Sequence, residues 1–216
     1  TSRALAAMTT TRHLPTFLGK LSQKYRTPGR SMVVNLFVGL IMVIGFRNWG
    51  ALSNVISTST LIAYLTGPVT LISFRRMAPD WKRPFKLKGA HFLAPLAYLL
   101  ASLAIYWAKW PTTIEVFGVI ALGLIFYIYY EFRQPAGKQK VFQSFKGARW
   151  LVFELLWLTI MSLIGSQQFG GNDWLPYPTD FGMVLVGSLG CYLLGVHDAY
   201  ASDETEYGHS LNEKIK

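Results

Sequence analysis

Long stretches almost without charge alternate with short charged segments along this chain. Six such apolar runs occur, at residues 31–46, 48–74, 89–108, 116–130, 150–166 and 181–196, and only the fifth contains an acidic residue, Glu154. A helix needs about 20 mostly apolar residues to cross a bilayer, and several runs reach that length. The shorter runs continue into flanks rich in Trp and Tyr. The pattern predicts an all-α, polytopic membrane protein with six transmembrane helices.

Lys and Arg are concentrated in every second segment between the runs. The N-terminal segment and the connections after the second and fourth runs hold most of the 21 basic residues. The connections after the first and third runs hold only Arg47 and Lys109, and residues 169–180 hold none. Because positive residues stay on the cytoplasmic side during insertion, this alternation predicts a multi-pass plasma-membrane protein with both ends in the cytoplasm.

The remaining composition limits the chemistry. The net charge of +10 lies in short connections, and no basic helix or aromatic stacking platform accompanies it, so we expect no nucleic-acid partner. The single cysteine excludes an intrachain disulfide. The four histidines are not spaced as metal ligands, and neither a glycine-rich phosphate loop nor a Gly-x-Ser-x-Gly motif occurs. We therefore expect no metal, no cofactor and no enzymatic activity.

The second run carries the candidate functional residues. They are Ser53, Asn54, Ser57, Thr58, Thr60 and Tyr64. Four of them share one helical face, and Asn54 and Thr58 lie on the neighbouring face. Polar side chains in a bilayer normally face protein or water, which favours a substrate or ion pathway. The alternative is that the hydroxyls bond to carbonyls of the preceding turn. Gly67 and Pro68 follow, and the missing N–H predicts a helix bend.

The last two runs contain features that bear on packing. Glu154 is a candidate functional group because acids are rare inside membrane helices. It lies close in sequence to Arg149, so the interpretation we favour is contact with headgroup water or pairing with that arginine. Its role and that of the last two helices stay open. Gly187, Cys191 and Gly195 recur at a spacing of four, which predicts helix–helix contact rather than a reactive thiol.

Two segments resemble the amino acid permeases of the amino acid–polyamine–organocation superfamily. The first contains Ser2, Arg3, Ala7, Met8, Leu14, Pro15, Phe17, Lys20, Thr27, Pro28, Ser31 and Asn35. It is similar to the cytoplasmic loop after the eighth membrane helix of that family, except at residues 9–13. The second contains Gly67-Pro68-Val69, Arg75-Arg76, Pro79-Asp80 and Arg83-Pro84-Phe85-Lys86. The two helices beyond the usual twelve resemble the bacterial aspartate/glutamate–proton symporter branch.

The resemblance implies a leucine-transporter-type fold with two inverted repeats and a substrate site near the midplane. This chain would form its C-terminal portion, without the broken helices that bind the substrate. Residues 1–30 would be a cytoplasmic loop following a missing helix, residues 31–196 a six-helix transmembrane region and residues 197–216 an acidic cytoplasmic tail. The second run would be the tenth helix, which borders the outer vestibule in such transporters.

The expected function is proton-coupled amino acid symport by alternating access. The implied partners are an amino acid, of the acidic class in the symporter branch, a proton, the lipid bilayer and the N-terminal helices of the complete permease. The alternative is a membrane scaffold or assembly subunit that transports nothing, which the small-residue stripes suit equally well. An intramembrane enzyme would need paired acid–base groups at one depth, and Glu154 stands alone in sequence.

Overall fold

The computed structural model describes residues 9, 19, 27–45, 48–79, 83, 85–132 and 137–199, and all regular secondary structure within these ranges is helical. Between residues 27 and 199 six α-helices follow one another. They are α1 (Gly29–Gly45), α2 (Trp49–Met77), α3 (Ala90–Tyr106), α4 (Thr112–Phe132), α5 (Gly137–Ile164) and α6 (Thr179–Asp198). A short 3₁₀ turn, Gln167–Phe169, lies between α5 and α6. The prediction of an all-α fold is confirmed.

Four of the described helices contain a segment that is long and apolar enough to cross a bilayer. These segments are Trp49–Met77, Thr112–Tyr129, Phe145–Ile164 and Thr179–Asp198. The other two helices, α1 and α3, are apolar and have 17 residues each. Each of the six predicted apolar runs thus corresponds to one helix. The prediction of a polytopic membrane protein is confirmed.

The fifth helix begins earlier than its apolar run. The sequence assigns residues 137–149 to a basic connection, but α5 starts at Gly137 and is helical throughout this stretch. That part of the prediction is wrong. Lys, Arg and Gln are good helix formers, so a polar extension can continue the helix outside the apolar segment.

The chain divides into two compact units. The first unit comprises Thr1–Ile56 and Phe117–Gln143, and the second comprises Ser57–Val116 and Ser144–Lys216. In the first unit α1 exposes large apolar side chains along its whole length, including Leu36 and Ile44. Such an exposed apolar helix is typical of a surface that contacts lipid or further membrane helices. Ser31, at the start of α1, is fully buried.

The second unit has an aromatic core formed by α3, α5 and α6. The Tyr98 ring of α3 lies at its centre, with ring centroids 5.3 Å from Tyr192 of α6 and 6.1 Å from Trp150 of α5. Leu158 and Met161 of α5 are fully buried. These contacts hold the three helices against one another by van der Waals packing, which is one of the forces that associate helices in a lipid environment.

Two arginines of the permease-like motif hold the segment after α2 against the end of that helix. Arg83 Nη2 donates to the carbonyl oxygens of Ala78 at 2.5 Å and Phe74 at 3.2 Å, and Nη1 donates to that of Pro79 at 3.3 Å. Arg75 Nη2 donates to the Leu87 carbonyl oxygen at 2.9 Å. The Arg83 guanidinium group thus contacts one carbonyl oxygen in the last turn of α2 and two just beyond its end, which its several N–H donors allow.

Candidate functional site

Most of the predicted pathway residues have exposed side chains on α2. Five of the six are exposed, with Tyr64 at 65 %, whereas Thr58 is buried. The buried residues on the other side of the helix are Val55, Ile62, Leu65, Val69 and Ile72. In the hydrocarbon region exposed polar groups need water or further protein as neighbours. The role of these residues in transport stays a prediction.

In the next part of α2, threonine hydroxyls donate to carbonyl oxygens of the preceding turn. This is the alternative to lining a pathway. The Thr66 hydroxyl donates to the Ala63 carbonyl oxygen at 2.7 Å. The Thr70 hydroxyl lies 2.8 Å from the Thr66 carbonyl oxygen and 2.9 Å from that of Gly67. The helix continues through Pro68, so the proline does not end it. The predicted bend stays a prediction.

Glu154 does not pair with Arg149, and the favoured interpretation of its environment is wrong. Arg149 forms a two-point ion pair with Asp198 at the end of α6, with Nη2 donating to Oδ1 at 2.5 Å and Nε donating to Oδ2. Glu154 is fully buried, which excludes contact with headgroup water. Its Oε1 atom lies 2.7 Å from the hydroxyl oxygen of Ser102 on α3.

The Glu154 carboxyl is the centre of a buried polar cluster. We define this cluster as Glu154 and the four polar side chains that surround its carboxyl group, Tyr98, Ser102, Ser188 and Cys191, of which Ser102 is within hydrogen-bond distance. Among the described residues, Glu154 Oε2, Tyr98 Oη and Ser188 Oγ are buried without a hydrogen-bond partner. The Ser102 hydroxyl also lies 3.1 Å from the Tyr98 carbonyl oxygen. The cluster therefore combines one carboxyl, three hydroxyls and a thiol at the junction of α3, α5 and α6.

The small-residue stripe on α6 is a packing surface, as predicted. A Cβ atom on Gly187 would overlap the indole ring of Trp157 on α5. A Cβ atom on Gly195 would lie 2.9–3.0 Å from the Trp150 ring and 3.0 Å from Val69 Cγ1. Cys191, between them, is a buried free thiol. The absence of side chains at the two glycines lets α6 approach these tryptophans closely.

A second buried acidic side chain, that of Asp180, lies in the first turn of α6. Asp180 Oδ2 accepts a hydrogen bond from the Tyr106 hydroxyl at 2.7 Å and from the Ser166 backbone N–H at 3.4 Å. The Tyr106 ring contacts Phe169 and Phe181, with centroids 5.4 and 6.0 Å apart. Sequence reasoning missed this site because Asp180 and Tyr106 are 74 residues apart and Asp180 lies just outside its apolar run.

A groove of about 400 Å³ lies between α2, α5 and α6 in the second unit. Its walls include Thr66, Ser73, Trp150 and Gly195, and none of the six predicted pathway residues lines it. Ser73 Oγ is buried there and has no partner in the described part of the chain. Within the same part, no group of three or more His, Cys, Asp or Glu side chains could hold a metal ion.

Three curated proteins of Bacillus subtilis (strain 168) are similar to this chain. The glutamate/serine transporter AimA is 38% identical over 216 residues, which is 100% of this chain and 40% of AimA. The chain is homologous to bacterial amino acid transporters. The aspartate-proton symporter is 29% identical over 193 residues, 89% of this chain and 37% of the symporter. The branched-chain amino acid permease BcaP is 27% identical over 131 residues, 60% of this chain and 28% of BcaP.

These transporter homologues confirm the predicted resemblance to amino acid permeases. Their names describe transporters, a symporter and a permease, so the prediction that the chain is not an enzyme is also confirmed. The chain spans 40% or less of the length of each of these relatives. No protein-family model and no solved structure matches it.

Proposed function

We propose that the chain is the C-terminal portion of a proton-coupled amino acid symporter that works by alternating access in the plasma membrane. The observation that carries the proposal is the 38% identity to a glutamate/serine transporter along the whole chain. The similarity to an aspartate-proton symporter over 89% of the chain supports an acidic amino acid as substrate and the proton as coupling ion. Both termini would lie in the cytoplasm, as the alternation of basic segments indicates.

Within this symporter, α1 and α2 would be the ninth and tenth helices of a leucine-transporter-type core. The polar stripe of α2, which we define as its exposed candidate residues Ser53, Asn54, Ser57, Thr60 and Tyr64, would line the vestibule, because the opposite face of the helix is buried. The central binding site would be formed by helices outside this chain. Residues 1–30 and 197–216 would be a cytoplasmic loop and tail, and most of both lies outside the described residues.

Uptake measurements test the proposal. We expect cells that express the complete reading frame containing this chain to take up radiolabelled glutamate or aspartate saturably, and we expect a protonophore to reduce that uptake. The physical reason is that a symporter draws its driving force from the proton gradient. A panel of neutral and basic amino acids defines the substrate class. Membrane insertion without uptake of any amino acid would contradict the proposal and favour the scaffold alternative.

The polar stripe of α2 can be tested separately. We expect Ser57→Ala or Asn54→Ala to change the KM or the maximal rate of uptake about 3- to 10-fold, since one lost hydrogen bond to water or substrate contributes about 0.5–1.5 kcal/mol. Thr66→Val is the matched control, because the Thr66 hydroxyl bonds to its own helix. Equal kinetics in all variants, with equal amounts in the membrane, would exclude the stripe from the pathway.

A further inference from the structure

Among the residues that the structure describes, the buried cluster around Glu154 contains a carboxyl group and no basic side chain. Glu154 is fully buried within the second unit, and its described neighbours from α3 and α6 are hydroxyls and a thiol. The titratable groups that face it are Tyr98 and Cys191, and neither is a cation at neutral pH. Arg149, on the same helix, is engaged with Asp198. An ionised carboxylate in such surroundings carries a large desolvation penalty, and no positive charge among the described residues around it offsets that penalty.

The distances around Ser102 accommodate a proton on Glu154. The Ser102 hydroxyl lies 2.7 Å from Glu154 Oε1 and 3.1 Å from the Tyr98 carbonyl oxygen. A serine hydroxyl has one hydrogen, and a carbonyl oxygen can only accept. If Glu154 is ionised, both neighbours of Ser102 are acceptors and only one of them receives a hydrogen. If Glu154 is protonated on Oε1, it donates to Ser102, which in turn donates to the Tyr98 carbonyl.

We propose that Glu154 is a proton-binding site of this transporter homologue, occupied at neutral pH, with the proton on Oε1 donated to Ser102. Protonation leaves Oε2 as a carbonyl oxygen, which can only accept. The two nearby hydroxyls that lack partners, those of Tyr98 and Ser188, are both donors. Reorientation of either hydroxyl toward Oε2 therefore satisfies that atom without any further ion. The bound proton makes the hydrogen bond between Ser102 of α3 and Glu154 of α5 a bond between neutral groups. The inference does not depend on which substrate is transported.

Infrared difference spectroscopy of the full-length protein in lipid vesicles tests the proposal. At neutral pH we expect the wild type to show a protonated-carboxyl C=O band that is absent from Glu154→Gln, because glutamine keeps the size of the neutral acid and removes its proton. Glu115→Gln, at the half-exposed glutamate in the first turn of α4, is the matched control and should keep the band. Loss of a carboxylate band instead of the C=O band in Glu154→Gln would overturn the proposal.

A second variant, Ser102→Ala, tests the proposed hydrogen bond between Glu154 and Ser102 even if Glu154→Gln does not fold. We expect Ser102→Ala to shift the C=O band of the acid, because the acceptor of its proton has been removed. The same spectrum is recorded in sodium and in choline buffer. A band that appears only without sodium would assign the cluster to a bound cation and overturn the proton site. A band that Ser102→Ala leaves at the wild-type position would overturn the proposed hydrogen bond.

Discussion

Substitution of Gly187 by alanine is expected to lower the free energy of unfolding by about 1–3 kcal/mol, the usual cost of overfilling a well-packed contact. A Cβ atom at this position of α6 would overlap the indole ring of Trp157 on α5. The ring is rigid, so relief requires the whole side chain or the helix to shift. Fewer molecules of the complete protein in detergent should then remain monodisperse after heating, as measured by size-exclusion chromatography.

Gly190 provides the matched control on the same helix. A Cβ atom there would meet nothing within 4 Å. Alanine is about 1 kcal/mol more favourable than glycine inside a helix, so Gly190→Ala should leave the protein as stable as the wild type or more stable. If both variants lose stability equally, the close approach of α6 to Trp157 does not determine packing in the complete protein.

Substitution of Asp180 by alanine is expected to have a comparable or larger effect. The carboxylate is fully buried and accepts hydrogen bonds from the Tyr106 hydroxyl and the Ser166 N–H. Without it these donors lose their acceptor inside the fold, at a cost of about 1–3 kcal/mol for each one that water cannot reach. The measurement is again the fraction of protein that stays monodisperse after heating.

A double-mutant cycle separates the Asp180–Tyr106 hydrogen bond from general damage. Tyr106→Phe removes the hydroxyl and keeps the ring that contacts Phe169 and Phe181. We expect the effects of Asp180→Ala and Tyr106→Phe to be non-additive by at least about 0.5 kcal/mol. Asp173→Asn, at an exposed aspartate of the α5–α6 connection, serves as the control and should change little. Strictly additive effects would show that the hydrogen bond contributes nothing.

The positions of the helices could be predicted because charge is costly inside a bilayer. The run at residues 31–46 corresponds to α1 (Gly29–Gly45), and the run at residues 181–196 to α6 (Thr179–Asp198). Lys, Arg, Asp or Glu mark where an apolar segment can leave the hydrocarbon region. They do not mark where the helix itself ends, which is why the polar start of α5 at Gly137 was missed.

The surroundings of Glu154 could not be predicted from neighbouring residues. Arg149 precedes it by five positions, which places the two side chains about 140° apart around a helix of 3.6 residues per turn. That spacing argues against the pairing that proximity in sequence suggested. The true neighbour, Ser102, is 52 residues away on another helix, and no local pattern indicates it. The face of α2 that bears Ser57 and Tyr64, by contrast, follows from helical periodicity alone.

Polar contacts between side chains connect each pair among α3, α5 and α6 in the described part of the chain. Three of them are Ser102 with Glu154, Tyr106 with Asp180 and Arg149 with Asp198. Asp180 and Asp198 alone are about 27 Å apart along their helix, at 1.5 Å per residue. Sliding or rotation of one of these helices against the other two would separate at least one of these pairs, and the two buried pairs have no replacement partner in lipid. We therefore expect α3, α5 and α6 to move together, as a single block, in any conformational change of the complete protein.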